Sequence, residues 1–155
     1  MPQFCIYLEL EEYLRQWLVH ELGDPVKVPR GSQESDILEL CLTTQPKDAV
    51  PDLPAPGKVA IVLPQFRDKD TRYYNYLPPR GRKALARCIY VRFRVKMWEE
   101  LHRLDNTEGL LTDMIYAWME AHGIECCERN WETIRQMYFR KRKVYRKLLA
   151  QKNAV

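Results

Sequence analysis

The stretch Arg82-Lys83-Ala84-Leu85-Ala86-Arg87-Cys88-Ile89-Tyr90-Val91-Arg92-Phe93-Arg94-Val95-Lys96-Met97-Trp98-Glu99-Glu100-Leu101-His102 decides the fold of the second half of this chain. Two periods compete in it. Ile89, Val91, Phe93, Val95 and Met97 alternate with Tyr90, Arg92, Arg94 and Lys96, the pattern of a strand with one buried face. Ala84, Cys88, Val91, Val95 and Trp98 instead make a stripe at helical spacing. The flanks, Arg82 to Arg87 and Glu99 to His102, favour helix by propensity. We therefore read a helix over 81–104, with Arg94 as the place where it would break, and keep the strand over 81–97 as its competitor.

Downstream, Asp105-Asn106-Thr107 offers a helix start. Leu110, Leu111, Met114, Ile115, Trp118 and Met119 give the next helix a broad apolar face, and Gly123 ends it. Ile124 to Arg129 forms a connection, and Asn130 is placed to cap a last helix from Trp131 to about Leu149. In that helix Trp131, Ile134, Tyr138, Tyr145 and Leu149 share one side. Arg129, Thr133, Gln136, Arg140, Lys143 and Lys147 follow the same spacing opposite, while Arg135, Lys141 and Arg146 sit at the edges. At 1.5 Å per residue such a helix is roughly 28 Å long and carries positive charge along most of its length. Arg142 falls inside the apolar stripe, so either its stem packs while its guanidinium escapes, or the helix leaves the core at that point.

Upstream, Gln3 to Leu8 reads as a strand, and Leu10, Leu14, Trp17, Leu18 and Leu22 as an amphipathic helix stopped by Gly23-Asp24-Pro25. Val26 to Pro29 has the length of a short strand, and Asp36 to Leu42 fits helix or strand equally. Pro46, Pro51, Pro54 and Pro56 make 46–57 an extended loop. Lys58 to Leu63 reads as a buried strand closed by Pro64. The expected fold class is α+β: a small mixed α/β unit over 1–77, then a mainly helical, helix-turn-helix-like bundle over 78–155 with a long basic last helix.

Charge is distributed unevenly along this order. Residues 1–76 hold 8 Lys and Arg against 12 Asp and Glu, and residues 77–155 hold 17 against 9, so the net +4 divides into −4 and +8. A basic second half facing a polyanion is the natural reading. With 155 residues and 46% hydrophobic content, the chain has enough apolar side chain for a real core. Its apolar runs are too short to cross a bilayer and its first residues lack the order of a signal peptide, which makes a cytoplasmic protein the expectation. Cys5, Cys41, Cys88, Cys126 and Cys127 are odd in number and scattered, unlike a disulfide framework.

Two shorter helices, a Gly-containing connection and a third helix rich in Arg, Lys, Gln and Asn, over about Lys83 to Lys152 with Trp98, Trp118 and Trp131 among the core candidates, resemble three-helix helix-turn-helix domains of the homeodomain-like and Myb-like group. The resemblance implies that the last helix lies in the major groove of DNA. Arg129, Arg140, Lys143 and Lys147 would then neutralise phosphates, with Lys141 and Arg146 at the edges. Arg135 and Gln136, near the start of the helix, would reach base edges. Arg67 to Arg72 and Arg80 to Arg87 could extend the track. The expected protein is a non-enzymatic DNA-binding regulator or accessory factor of bacterial type, acting on duplex DNA, with a homodimer or protein contact through the N-terminal unit.

Other chemistries have thinner support. Tyr73, Tyr74 and Tyr76 beside arginines suit stacking on unpaired bases. His122, Cys126 and Cys127 lack the second ligand pair of a structural zinc site, and the six glycines form no phosphate-cradling loop, so no metal and no cofactor is expected. Asp52, Asp68 and Asp70 are the acids a metal-dependent nuclease would use. A protein-interaction module with complementary acidic and basic surfaces is the rival from a different class.

Overall fold

The computed structural model describes residues 3–105 and 111–154. The element order is β1 (Cys5–Glu9), α1 (Glu12–Leu22), α2 (Gln33–Cys41), β2 (Lys58–Val62), α3 (Pro79–Asp105), α4 (Leu111–Ala121) and α5 (Glu128–Asn153), an α+β arrangement with a two-stranded sheet and a mainly helical second part. The chain divides into two compact units, Met1–Val91 and Arg92–Val155. The division falls within α3, whereas charge and proline placement pointed to 77/78.

In the first unit β1 and β2 pair antiparallel, from Cys5 opposite Val62 to Glu9 opposite Lys58. Period-two alternation buries Ile6, Leu8, Val59 and Ile61, and Trp17 and Leu18 of α1 and Leu38 of α2 are buried as well. Val26 contributes an isolated bridge to Ile61 rather than the short strand expected at 26–29. The undecided segment 36–42 is helix, and its start shows why. Ser32 accepts a hydrogen bond from the Ser35 amide, and Glu34 and Asp36 complement the positive end of the helix. At its far end the Lys69 ammonium donates to the carbonyls of Leu40 and Leu42, which serves carbonyls that helix geometry leaves open.

The competition inside 82–102 resolves as an unbroken helix. Leu85, Ile89, Phe93, Met97 and Leu101 recur every four residues and are all buried. Val91 and Val95, which belong to both competing patterns, lie on the open side at 39% and 50% exposure, and Ala84 is exposed as well, so the helix forms but its buried face is not the expected stripe of Ala84, Cys88, Val91, Val95 and Trp98. The helix begins at Pro79, where a missing amide hydrogen costs nothing. It does not break at Arg94.

In the second unit Met97, Leu101, Ile115, Met119, Ile124, Ile134 and Tyr138 form the core. Phe93 meets Trp118 edge to face at 5.7 Å, and Tyr116 stacks on Trp131 at 5.6 Å. The start expected at Asn106 and Thr107, and Leu110, lie outside the described residues. α4 ends as its sequence indicates. Gly123 takes φ +71°, its amide bonds to the Glu120 carbonyl, and the Ile124 amide reaches back to Met119, the paired hydrogen bonds of a Schellman motif.

Candidate nucleic-acid interface

α5 is longer than its apolar spacing suggested and starts earlier. The cap is Cys127, whose Sγ accepts from the Asn130 amide at 3.5 Å, so the expected cap residue Asn130 sits one turn inside. There Asn130 is buried and donates from Nδ2 to the Glu125 carbonyl. Glu128 and Glu132 occupy the first turns, where carboxylates suit the helix dipole. From Thr133 to Asn153 the helix has eight Lys and Arg and no acidic side chain.

The core grips only the first half of this helix. Ile134 and Tyr138 are fully buried, and Trp131 is partly covered by Tyr116. Past Arg142 every residue from Lys143 to Asn153 is exposed. Tyr145 still touches the Trp98 and His102 rings, at 5.6 and 4.7 Å, but Leu149, expected in the stripe, is 40% exposed. Arg142 packs its guanidinium over the Phe139 and Tyr138 rings, at 4.3 and 5.7 Å from their centroids. Helix and core therefore part company where the sequence first places a cation in the apolar stripe.

The residues expected to meet phosphate are on the surface. Arg129, Arg140, Lys141, Lys143, Arg146 and Lys147 are exposed. Among the described residues, none of the six cations in that set makes a side-chain hydrogen bond or ion pair. Arg129, Arg140, Lys143 and Lys147 share a face of the helix about 27 Å long. The two residues expected to read bases are differently placed. Arg135 is half-buried, pairs with Glu132 at 3.4 Å and covers the Phe139 ring at 4.9 Å, while Gln136 donates to the same Glu132 oxygen at 3.1 Å. Sequence reasoning overlooked Glu132, although it stands three residues before Arg135 and four before Gln136, the spacing at which helix side chains meet.

Of the other basic groups, Lys69, Arg72 and Arg82 are used within their own unit. Arg72 is held by Asp70 at 2.7 Å, and Lys69 serves α2. Arg82 donates to the carbonyls of Tyr7 and Leu77 and pairs with Asp52 at 2.7 Å. Asp52 also accepts the Tyr7 amide, so this carboxylate ties the proline-rich loop to β1. Asp70 is likewise engaged, and the Arg72 hydrogen bonds hold its carboxyl below the usual carboxylate range. Tyr73 is exposed beside Arg72, whereas Tyr76 bridges to Thr43. In the second unit His122 Nε2 lies 2.8 Å from Glu100 Oε2, which also accepts Trp118 Nε1 at 2.7 Å. Cys126 points at the carbonyls of Tyr116 and Ile124, and Cys127 caps α5, so these three residues do not converge as metal ligands.

Counted by compact unit, residues 1–91 hold 12 cations against 12 acids and residues 92–155 hold 13 against 9. By element, α5 holds 9 cations against 2 acids and α3 holds 8 against 3, so α5 is the most basic element but not the sole one. The class defined by fold and surface is an α+β protein whose long, basic last helix is open over its far half. Comparison with protein-family models, with curated proteins and with solved structures gave no match. No helix among the described residues is long and apolar enough to cross a membrane.

Proposed function

We propose that the protein binds duplex DNA through α5, as a non-enzymatic regulator or accessory factor. One observation carries this reading: the helix runs from Thr133 to Asn153 without an acidic side chain, and its cations outside the Glu132 contact and the ring-packed Arg142 are exposed. Carboxylates within reach would have neutralised a merely solvated face, at little cost in stability. A helix that leaves Arg129, Arg140, Lys141, Lys143, Arg146 and Lys147 without ion pairs among the described residues is suited to an external polyanion, whose condensed counterions it displaces on binding. The neutral balance of residues 1–91 gives less support to the rival in which oppositely charged halves each recruit a partner.

Four phosphate contacts, from Arg129, Arg140, Lys143 and Lys147, alone contribute about −3.6 to the slope of log affinity against log salt, and further cations of α5 add to it. Fluorescence anisotropy with a mixed-sequence 25-base-pair duplex should then show affinity falling by at least about 150-fold between 50 and 200 mM salt. No binding to duplex at 50 mM salt would refute the proposal. Tighter binding to the single strand than to the duplex would move the site to the Tyr73 region.

A further inference from the structure

The reading half of the helix can be located from how its side chains are arranged around the axis, an inference that rests on the DNA-binding reading above. In the exposed half, Val144 and Leu148 are neighbours four residues apart, at 53% and 59% exposure, and form a short apolar line. With 3.6 residues per turn, Arg140, Lys143 and Lys147 fall to one side of that line and Lys141 and Lys152 to the other. Arg146 falls on the opposite side of the helix. The line is thus an apolar strip between two rows of cations.

A flat anionic surface would fit such a helix poorly, since two residues make a narrow apolar face and charge extends to the back of the helix. A second copy of the same segment would repel it, because the segment has no acids to pair with. A channel with charged walls and a partly apolar floor is complementary. The major groove of B-DNA is about 12 Å wide, a helix with side chains is about 10–12 Å across, and the floor carries the methyl groups of thymine.

We infer that the segment Arg140 to Lys152 is the part of α5 that enters the major groove, with Val144 and Leu148 against the floor at thymine methyl groups and the two cation rows on the phosphate walls. Arg135 and Gln136, engaged by Glu132, stay outside the reading surface. Arg146 points away from the floor. Specificity then comes from apolar contact with A·T pairs.

The test compares alternating dA-dT duplexes with dA-dU duplexes of the same length, which differ only by the thymine methyl groups. Wild-type protein should bind the thymine form more tightly, by about three- to fourfold for each methyl group buried. Val144→Ala with Leu148→Ala should erase that preference and leave the salt slope intact. Lys141→Ala and Lys147→Ala should each flatten the slope by about 0.9, and Lys27→Ala in the first unit should leave it nearly unchanged. All these positions are exposed, and circular dichroism checks that the helix persists. Strong, salt-dependent binding without discrimination between the two duplexes would overturn this inference and leave the DNA-binding reading standing. Absence of binding to either duplex overturns both, as does capture by phosphatidylserine vesicles in its place.

Discussion

Replacing Arg140, Lys143 and Lys147 together by alanine removes three of the four cations on the face assigned to phosphate. Each contact contributes about 0.9 to the slope of log affinity against log salt, so the triple variant should lose about 2.7 units of slope. Extrapolated affinities meet near 1 M salt, where counterion release no longer favours binding. At 0.1 M the same change amounts to about 2.7 decades, or roughly 500-fold, close to 4 kcal/mol. The fold should not suffer. All three side chains are exposed without partners among the described residues, alanine is the best helix former, and a like-charge pair four residues apart is relieved. A control triple, Lys27, Arg30 and Lys47 to alanine, changes net charge equally at exposed positions of the first unit and should cost far less. Anisotropy titrations at four salt concentrations measure both slopes. Unchanged affinity at 50 mM salt would refute the reasoning, and so would a uniform loss with the original slope, because the side chains would then act through something other than phosphate charge.

Two further substitutions probe the framework. Gly81→Ala should destabilise by about 1–2 kcal/mol although alanine normally gains up to about 1 kcal/mol in a helix, because the new Cβ would stand 2.9 Å from Cys41 Cβ and 2.7 Å from the buried Leu77 Cδ1; chemical denaturation decides, and a stabilised protein would show that α2 and α3 are not in tight contact. Glu100→Ala should cost about 1–3 kcal/mol by taking away the acceptor of the buried Trp118 indole, with Glu100→Gln recovering most of it; equal thermal shifts for both variants would mean that the hydrogen bond contributes nothing.

How much of this was legible in the sequence depends on whether the deciding contacts were local. Strands β1 and β2 and helices α1 and α4 announced themselves through period and punctuation. The Schellman turn at Gly123 was readable because it is built from six neighbouring residues. α3 was legible as helix but on the wrong face, because β-branched Val91 and Val95, placed on the open side, fit both the strand alternation and a helical stripe, while Leu85, Ile89, Phe93, Met97 and Leu101 carry the buried face. α2 escaped assignment because its start at Ser32 stands before the apolar stretch that was weighed. Cys127 as a cap runs against residue preference, which favoured Asn130. At the interface, the exposure of Arg140, Lys143 and Lys147 followed from helical spacing alone. That Arg135 and Gln136 are occupied required noticing Glu132 upstream, and that Asp52 and Arg82 hold the first unit together required contacts between residues thirty positions apart.

The acid-free end of α5 also has a bearing on the solution behaviour of the molecule. Arg142 with Arg146, and Lys143 with Lys147, are like-charged neighbours one turn apart, and each such pair weakens a helix by about 0.2–0.5 kcal/mol. With little core beneath these turns, their coil content is set by whatever neutralises them. Dilute buffer should unwind the tip and a multivalent anion should rewind it, so that the ionic atmosphere sets how far the rod extends.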